Sequence, residues 1–167
     1  MIPIRKISLV LICIFLLITV STIANAEYGK PIDLTYDRVT LDLDKVFSMR
    51  RYSNIDGFPR YKGLCTNKLG VLEVVGPKHN IVQATLAMAF IAGDKALNEQ
   101  NTAIMLLFLN NISSTSEWPI VKDWFIYSVE RFIDHPNDIV KVVVGVKEIS
   151  LRCIPNLQLM VINVRHN

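Results

Sequence analysis

The first 26 residues decide how much of this chain is available to fold and where it does so. Met1 to Lys6 carries two cations, Arg5 and Lys6, and no acid stands before Glu27. From Ile7 to Val20 nearly every side chain is Ile, Leu, Val, Phe or Cys, and Ser21-Thr22-Ile23 then leads to Ala24-Asn25-Ala26. A charged start, an apolar run and a small-x-small site make the pattern of a secretory signal peptide. We read cleavage after Ala26, which leaves a single domain from Glu27 to Asn167. The expected location is periplasmic or secreted, with membrane contact only during export. A competing reading retains the leader as a tether for an envelope protein. The run falls short of the ~20 apolar residues that span a bilayer, although Thr19 to Ala24 could extend it.

The remaining 141 residues suffice for a proper hydrophobic core. Removing Arg5 and Lys6 from the eighteen basic residues leaves sixteen against fifteen acids. Such a balance gives no broad attraction to nucleic acid, and none is expected as a partner. Cys13 departs with the leader, so Cys65 and Cys153 form an even pair in an oxidising compartment. The compartment points to a disulfide between them, which would close a long loop and stabilise by about 4–5 kcal/mol in the chain-entropy model. Two buried thiols are the alternative.

The mature chain shows no repeat and no linker. Val39 to Asp44 alternates apolar and polar residues and predicts a half-buried strand, with a short helix running on through Phe47 as the alternative. Ser48 to Lys68 is polar and irregular, with turn chemistry at Asp56-Gly57 and Phe58-Pro59. Leu69 to Val75 reads as a buried strand. Asn80 and Gln83 resemble a capping box ahead of an Ala-rich apolar run, which predicts a central buried helix up to Gly93. A second helix is expected from Glu99 to Ile112, and a third from Trp118-Pro119 to the residues before His135-Pro136. Ile139 to Val144, Glu148 to Cys153 and Leu157 to Val164 are short, β-branched or alternating, and separated by turns. Together these predict an α+β fold: N-terminal strands plus a C-terminal three-strand meander form an antiparallel sheet, covered on one face by about three helices.

Catalytic and metal signatures are sparse. His79, His135 and His166 lie far apart in the chain, with no H-E-x-x-H and no C-x-x-C. There is no G-x-S-x-G or S-x-x-K, and no cofactor motif. Asp42 and Asp44, two apart on the expected strand, could bind a cation, share a proton or simply face water. Gly76 to Asn80, between a strand and the expected helix, could cradle a phosphate, although one Gly and a Pro make a poor cradle. Asn111-Ile112-Ser113 matches the N-glycosylation pattern.

The strongest local signal is the basic and aromatic stretch from Arg50 to Lys68. Its candidate ligand contacts are Arg50, Arg51, Tyr52, Arg60, Tyr61 and Lys62. Arg and Tyr favour recognition surfaces, and Arg clamps carboxylate or phosphate with two donors. An exported protein with this stretch reads as a small non-enzymatic binding or interaction protein. Its expected partner is an anionic envelope component or another protein. The alternative is a small extracytoplasmic hydrolase whose site is assembled only in space.

Overall fold

The computed structural model describes residues 29–167. The leader, its cleavage site, Glu27 and Tyr28 lie outside the described residues. Helix α1 spans Tyr36–Thr40 and is followed by a 3₁₀ turn at Leu43–Lys45. Strands β1 (Phe47–Ile55), β2 (Phe58–Cys65), β3 (Gly70–Val75) and β4 (Gln83–Ala89) come next. Helices α2 (Lys95–Ile112) and α3 (Trp118–Asp134) precede β5 (Ile139–Val144) and β6 (Lys147–Ile154). A 3₁₀ turn at Pro155–Leu157 leads to β7 (Leu159–His166).

All seven strands form one antiparallel sheet in the order β1-β2-β3-β4-β7-β6-β5. The first four strands form a meander. The helices then carry the chain to the opposite edge, and the last three strands walk back until β7 meets β4. This is the expected α+β class. The C-terminal meander and α3 lie where the sequence placed them, and α2 begins one turn earlier than expected because Asp94 caps it by accepting from the Leu97 amide.

Registered partners share a face of the sheet, which sorts every strand residue onto one of two sides. On the near face Leu72, Leu86, Ile162 and Leu151 form one row. With Val74, Ala84, Ile149 and Val164 they pack against Val39 of α1, Met105, Phe108 and Leu109 of α2, and Val121, Phe125 and Phe132 of α3. The helices therefore cover the near face. The far face carries a smaller apolar cluster, Leu69, Val71, Ala87, Ala89, Leu159 and Val161. Leu97, in the first turn of α2, packs against it at one end.

Three local expectations are overturned. The run from Ile81 to Ala89 ends in strand β4, not a helix. β4 is paired on both sides and buried on both faces, so alternation vanishes and an apolar strand resembles a buried helix. Close packing confirms its centrality: a Cβ at Gly70 would collide with the Met88 side chain directly opposite. Val39 to Asp44 is the end of α1 and a 3₁₀ turn, not a strand. Val39 and Leu43 are fully buried while Leu41 is 57% exposed, a spacing of four that period two does not describe. Ser48 to Cys65 forms a long antiparallel hairpin with one register shift, between Tyr52 and Ile55, and Thr66 to Lys68 the turn after it, not an irregular segment. Asp56 and Gly57 both adopt positive φ, 50° and 82°, as a two-residue type I′ turn requires.

The disulfide is also overturned: both cysteines are free. Cys65 stands one residue past the Leu64–Val71 pair, in line with Gly70, which is registered with Met88, then Met160, then Cys153. The two cysteines thus share a row but stand four strand spacings apart, or about 19 Å at ~4.8 Å each. A disulfide needs Cα atoms within about 7 Å. Burial pushes the thiols of both Cys65 and Cys153 up from the ordinary range, so both are poor nucleophiles.

Candidate functional site

The far face carries a polar band across all seven strands. One row runs Arg50, Lys62, Glu73, Thr85, Asn163, Ser150, Lys141. The neighbouring row runs Tyr52, Arg60, Val75, Gln83, Arg165, Glu148, Val143. Hydrogen bonds knit these rows together. Thr85 Oγ1 and Gln83 Nε2 both donate to Asn163 Oδ1, at 2.9 and 3.0 Å. Glu148 accepts from Arg165 Nε at 2.8 Å and from Lys141 Nζ at 3.1 Å. Burial alone would raise the Glu148 carboxyl, but these two cations outweigh it and hold it below the ordinary carboxylate range.

Glu73 organises the β2–β3 end of the band. Its side chain is 1% exposed, and its Oε2 takes Lys62 Nζ at 2.8 Å and Arg60 Nη2 at 3.0 Å. Arg60 Nε adds a second hydrogen bond to the same oxygen at 3.1 Å. A buried carboxylate costs several kcal/mol to desolvate and survives only with such partners. Two cations sharing one carboxylate leave a local positive excess.

Beside this cluster lies a groove of about 360 Å³, lined by Arg50, Tyr52, Lys62, Leu64, Lys68 and Val71, with Ser48 and Thr66 among its other lining residues. No acid lines it. Lys68 reaches it from the β2–β3 turn, where its backbone holds a positive φ of 61°. Leu64 and Val71 are registered partners on the far face and supply the apolar part.

The structure separates the six candidates from the sequence. Arg50, Tyr52, Arg60 and Lys62 meet on the far face, as their pairings require. Arg51 and Tyr61 are partners on the near face. There the Tyr61 ring lies 4.9 Å from that of Tyr36, with Lys78 Nζ 4.8 Å above Tyr36 and 5.7 Å above Tyr61. Tyr61 thus helps seat α1 against the sheet. Glu73 was missed, although a lone charge within Gly-Val-Leu-Glu-Val-Val was a legible signal. Gln83, Thr85 and Asn163 were not legible, because only strand register brings them together.

Other motifs resolve into local structure. Asn111 is 2% exposed and donates to the carbonyls of Val39 and Leu41, so it tethers α1 to α2 and is no accessible glycosylation acceptor. Pro77 to Asn80 turns into a strand, so the phosphate cradle lacks its helix N-terminus. Asp42 pairs with Lys45 at 2.6 Å, both exposed. His79 stands exposed between β3 and β4, His135 exposed at the end of α3, and His166 at the end of β7. Among the described residues no group of three His, Cys, Asp or Glu is placed to hold a metal ion, and no helix is long and apolar enough to cross a membrane.

Comparison with protein-family models, with curated proteins and with solved structures finds no match.

Proposed function

We propose that this protein is an exported, non-enzymatic binding module that takes an anionic group on the far face of the β1–β2 hairpin. One observation carries the reading: the groove at Arg50, Lys62 and Lys68 gathers three cations and no acid. Glu73 fixes the Lys62 ammonium from within the sheet, so little side-chain entropy remains to be lost on binding. Tyr52 adds a ring and a hydroxyl at the rim, and Leu64 and Val71 exclude water from the contact. The ligand class is a carboxylate or phosphate group, borne by an envelope component or a partner protein. The leader supports export, because it joins cations, an apolar run and a small-x-small site.

The test is calorimetric titration of the processed protein with inorganic phosphate, with an acidic peptide, and with vesicles containing phosphatidylglycerol in phosphatidylcholine. At least one anionic probe is expected to bind, more weakly as salt rises. Arg50→Ala combined with Lys68→Ala should cost at least tenfold in affinity. These changes lie on the surface, and stability should stay within about 1 kcal/mol of the parent. Binding unchanged by the double substitution, or no binding to any anion, would refute the reading.

A further inference from the structure

The two edges of the sheet are built differently, and the difference identifies a contact surface independent of the groove. Edge strand β1 is blunted: Arg50 and Arg51 are exposed along it, and its register slips between Tyr52 and Ile55. Charges and irregular register are the usual protection against edge-to-edge pairing. Edge strand β5 carries far less of this protection. Its sequence is Ile-Val-Lys-Val-Val-Val, with one charge and no proline, and it pairs with β6 without a register shift along its whole length. Ile139 and Val143 are 58% and 49% exposed. The backbone groups on its outer side meet no further strand of the described sheet.

Ile139 and Val143 point to the far face; on the near side of the same edge, α3 exposes apolar side chains of its own. Arg131 Nη2 reaches Asp138, directly before β5, at 2.7 Å. At the other end of β5, a Cβ on Gly145 would lie 3.1 Å from a Glu117 oxygen. Helix α3 therefore runs alongside β5 from end to end. Ile120 and Tyr127 stand three and ten residues after Glu117 and so share the flank of Glu117 and Arg131. They are 56% and 55% exposed.

We propose that β5 and this flank of α3 form the contact face of a twofold dimer, in which β5 pairs antiparallel with β5 of a second copy. The strand is self-complementary about an axis at Val142. In that register Lys141 faces Val143, Val140 faces Val144, and no lysine opposes a lysine. Lys141 pairs with Glu148 at 3.1 Å, a carboxylate that Arg165 shares at 2.7 Å. The ends add no like-charge conflict, because each holds a couple already paired within its own chain. One end carries Arg131 with Asp138 and the other Glu117 with Lys147, and antiparallel pairing sets each against the other. A contact about 20 Å long belongs to the small interface class, below about 1,200 Å² in total, so the dimer dissociates on dilution.

The experiment is sedimentation equilibrium and light scattering on the processed protein from about 1 to about 200 µM, a span that covers weak association. Twice the chain mass at the top, falling reversibly toward one chain mass, is expected. Val143→Lys sets like charges opposite each other twice per dimer and should weaken it roughly tenfold, whereas adding Lys141→Glu, so that the new lysine faces a glutamate of the second copy as well as Glu148 of its own chain, should restore it. Tyr127→Ala, outside the strand, should also weaken it, and it serves if a strand variant misfolds in a thermal melt. Val142→Cys should cross-link into a covalent dimer under mild oxidation that the parent, with its own two thiols, does not form. A single-chain mass throughout, open-ended growth past the dimer, equal weakening by Val143→Lys with and without Lys141→Glu, or a stoichiometric foreign protein in place of the second copy would overturn the proposal.

Discussion

Glu73→Gln tests the organisation of the far face most directly. The carboxylate is 1% exposed and serves Lys62, 5% exposed, and Arg60, 15% exposed, through one oxygen. The substitution keeps the volume and removes the charge. Two cations, one of them deeply buried, then share a neutral amide. Breaking a buried pair from one side costs about 3–5 kcal/mol, because the desolvation of the remaining charges is no longer offset. Arg60 can relax toward water, which puts the expectation at the lower end, about 3 kcal/mol. Urea unfolding at neutral pH reads this as a drop in midpoint at constant slope. The double substitution Glu73→Leu with Lys62→Met removes charge from both partners, and apolar replacement of a buried pair is often neutral. It should recover at least half the loss of Glu73→Leu alone, a coupling isolated by the cycle of Glu73→Leu, Lys62→Met and the two together. A loss below about 1 kcal/mol for Glu73→Gln, the size of an exposed pair, would show that the charges are solvated and that the band is not a buried network.

Two further outcomes follow from the geometry. Glu117 and Glu148 have folded-state carboxyl pKa values below the ordinary range: burial opposes this, and Lys147 with Ser114, or Lys141 with Arg165, prevails. A carboxyl depressed in the folded state contributes stability above its unfolded pKa, about 4.3, and that contribution is lost as pH falls through the folded value. The urea midpoint should therefore decline progressively below about pH 4.3, and Glu148→Gln should flatten part of the decline; a pH-independent midpoint would refute it. Separately, because Cys65 and Cys153 are free and four strands apart, dithiothreitol should leave the melting temperature unchanged. A melting temperature that falls on reduction would contradict the strand order.

How much was legible varied with the kind of signal. Helix α3 was readable because Trp118-Pro119 opens it, Val121, Phe125 and Phe132 repeat at helical spacing on its buried face, and Pro136 closes it. The last three strands were readable because tight turns and local alternation announce a meander. β4 was not, since its neighbours β3 and β7 cover both its edges and the two faces of the sheet bury both its sides. The β1–β2 hairpin was obscured by its charges. Its side chains satisfy themselves across strands, Arg60 and Lys62 with Glu73, and such pairs leave no period in the chain.

The sequence by itself determined the α+β class, the C-terminal meander, the two long helices past residue 94, and the basic, aromatic character of Arg50 to Lys68. These depend on neighbours within a few residues, where caps, turns and periodicity act. Only the tertiary structure decided which of those basic residues face one another, that Glu73 sits beneath them, that Cys65 and Cys153 cannot meet, and that β5 ends the sheet with a single lysine to guard its edge. Those facts rest on which strand lies beside which, and pairing across the chain is set by global burial and register.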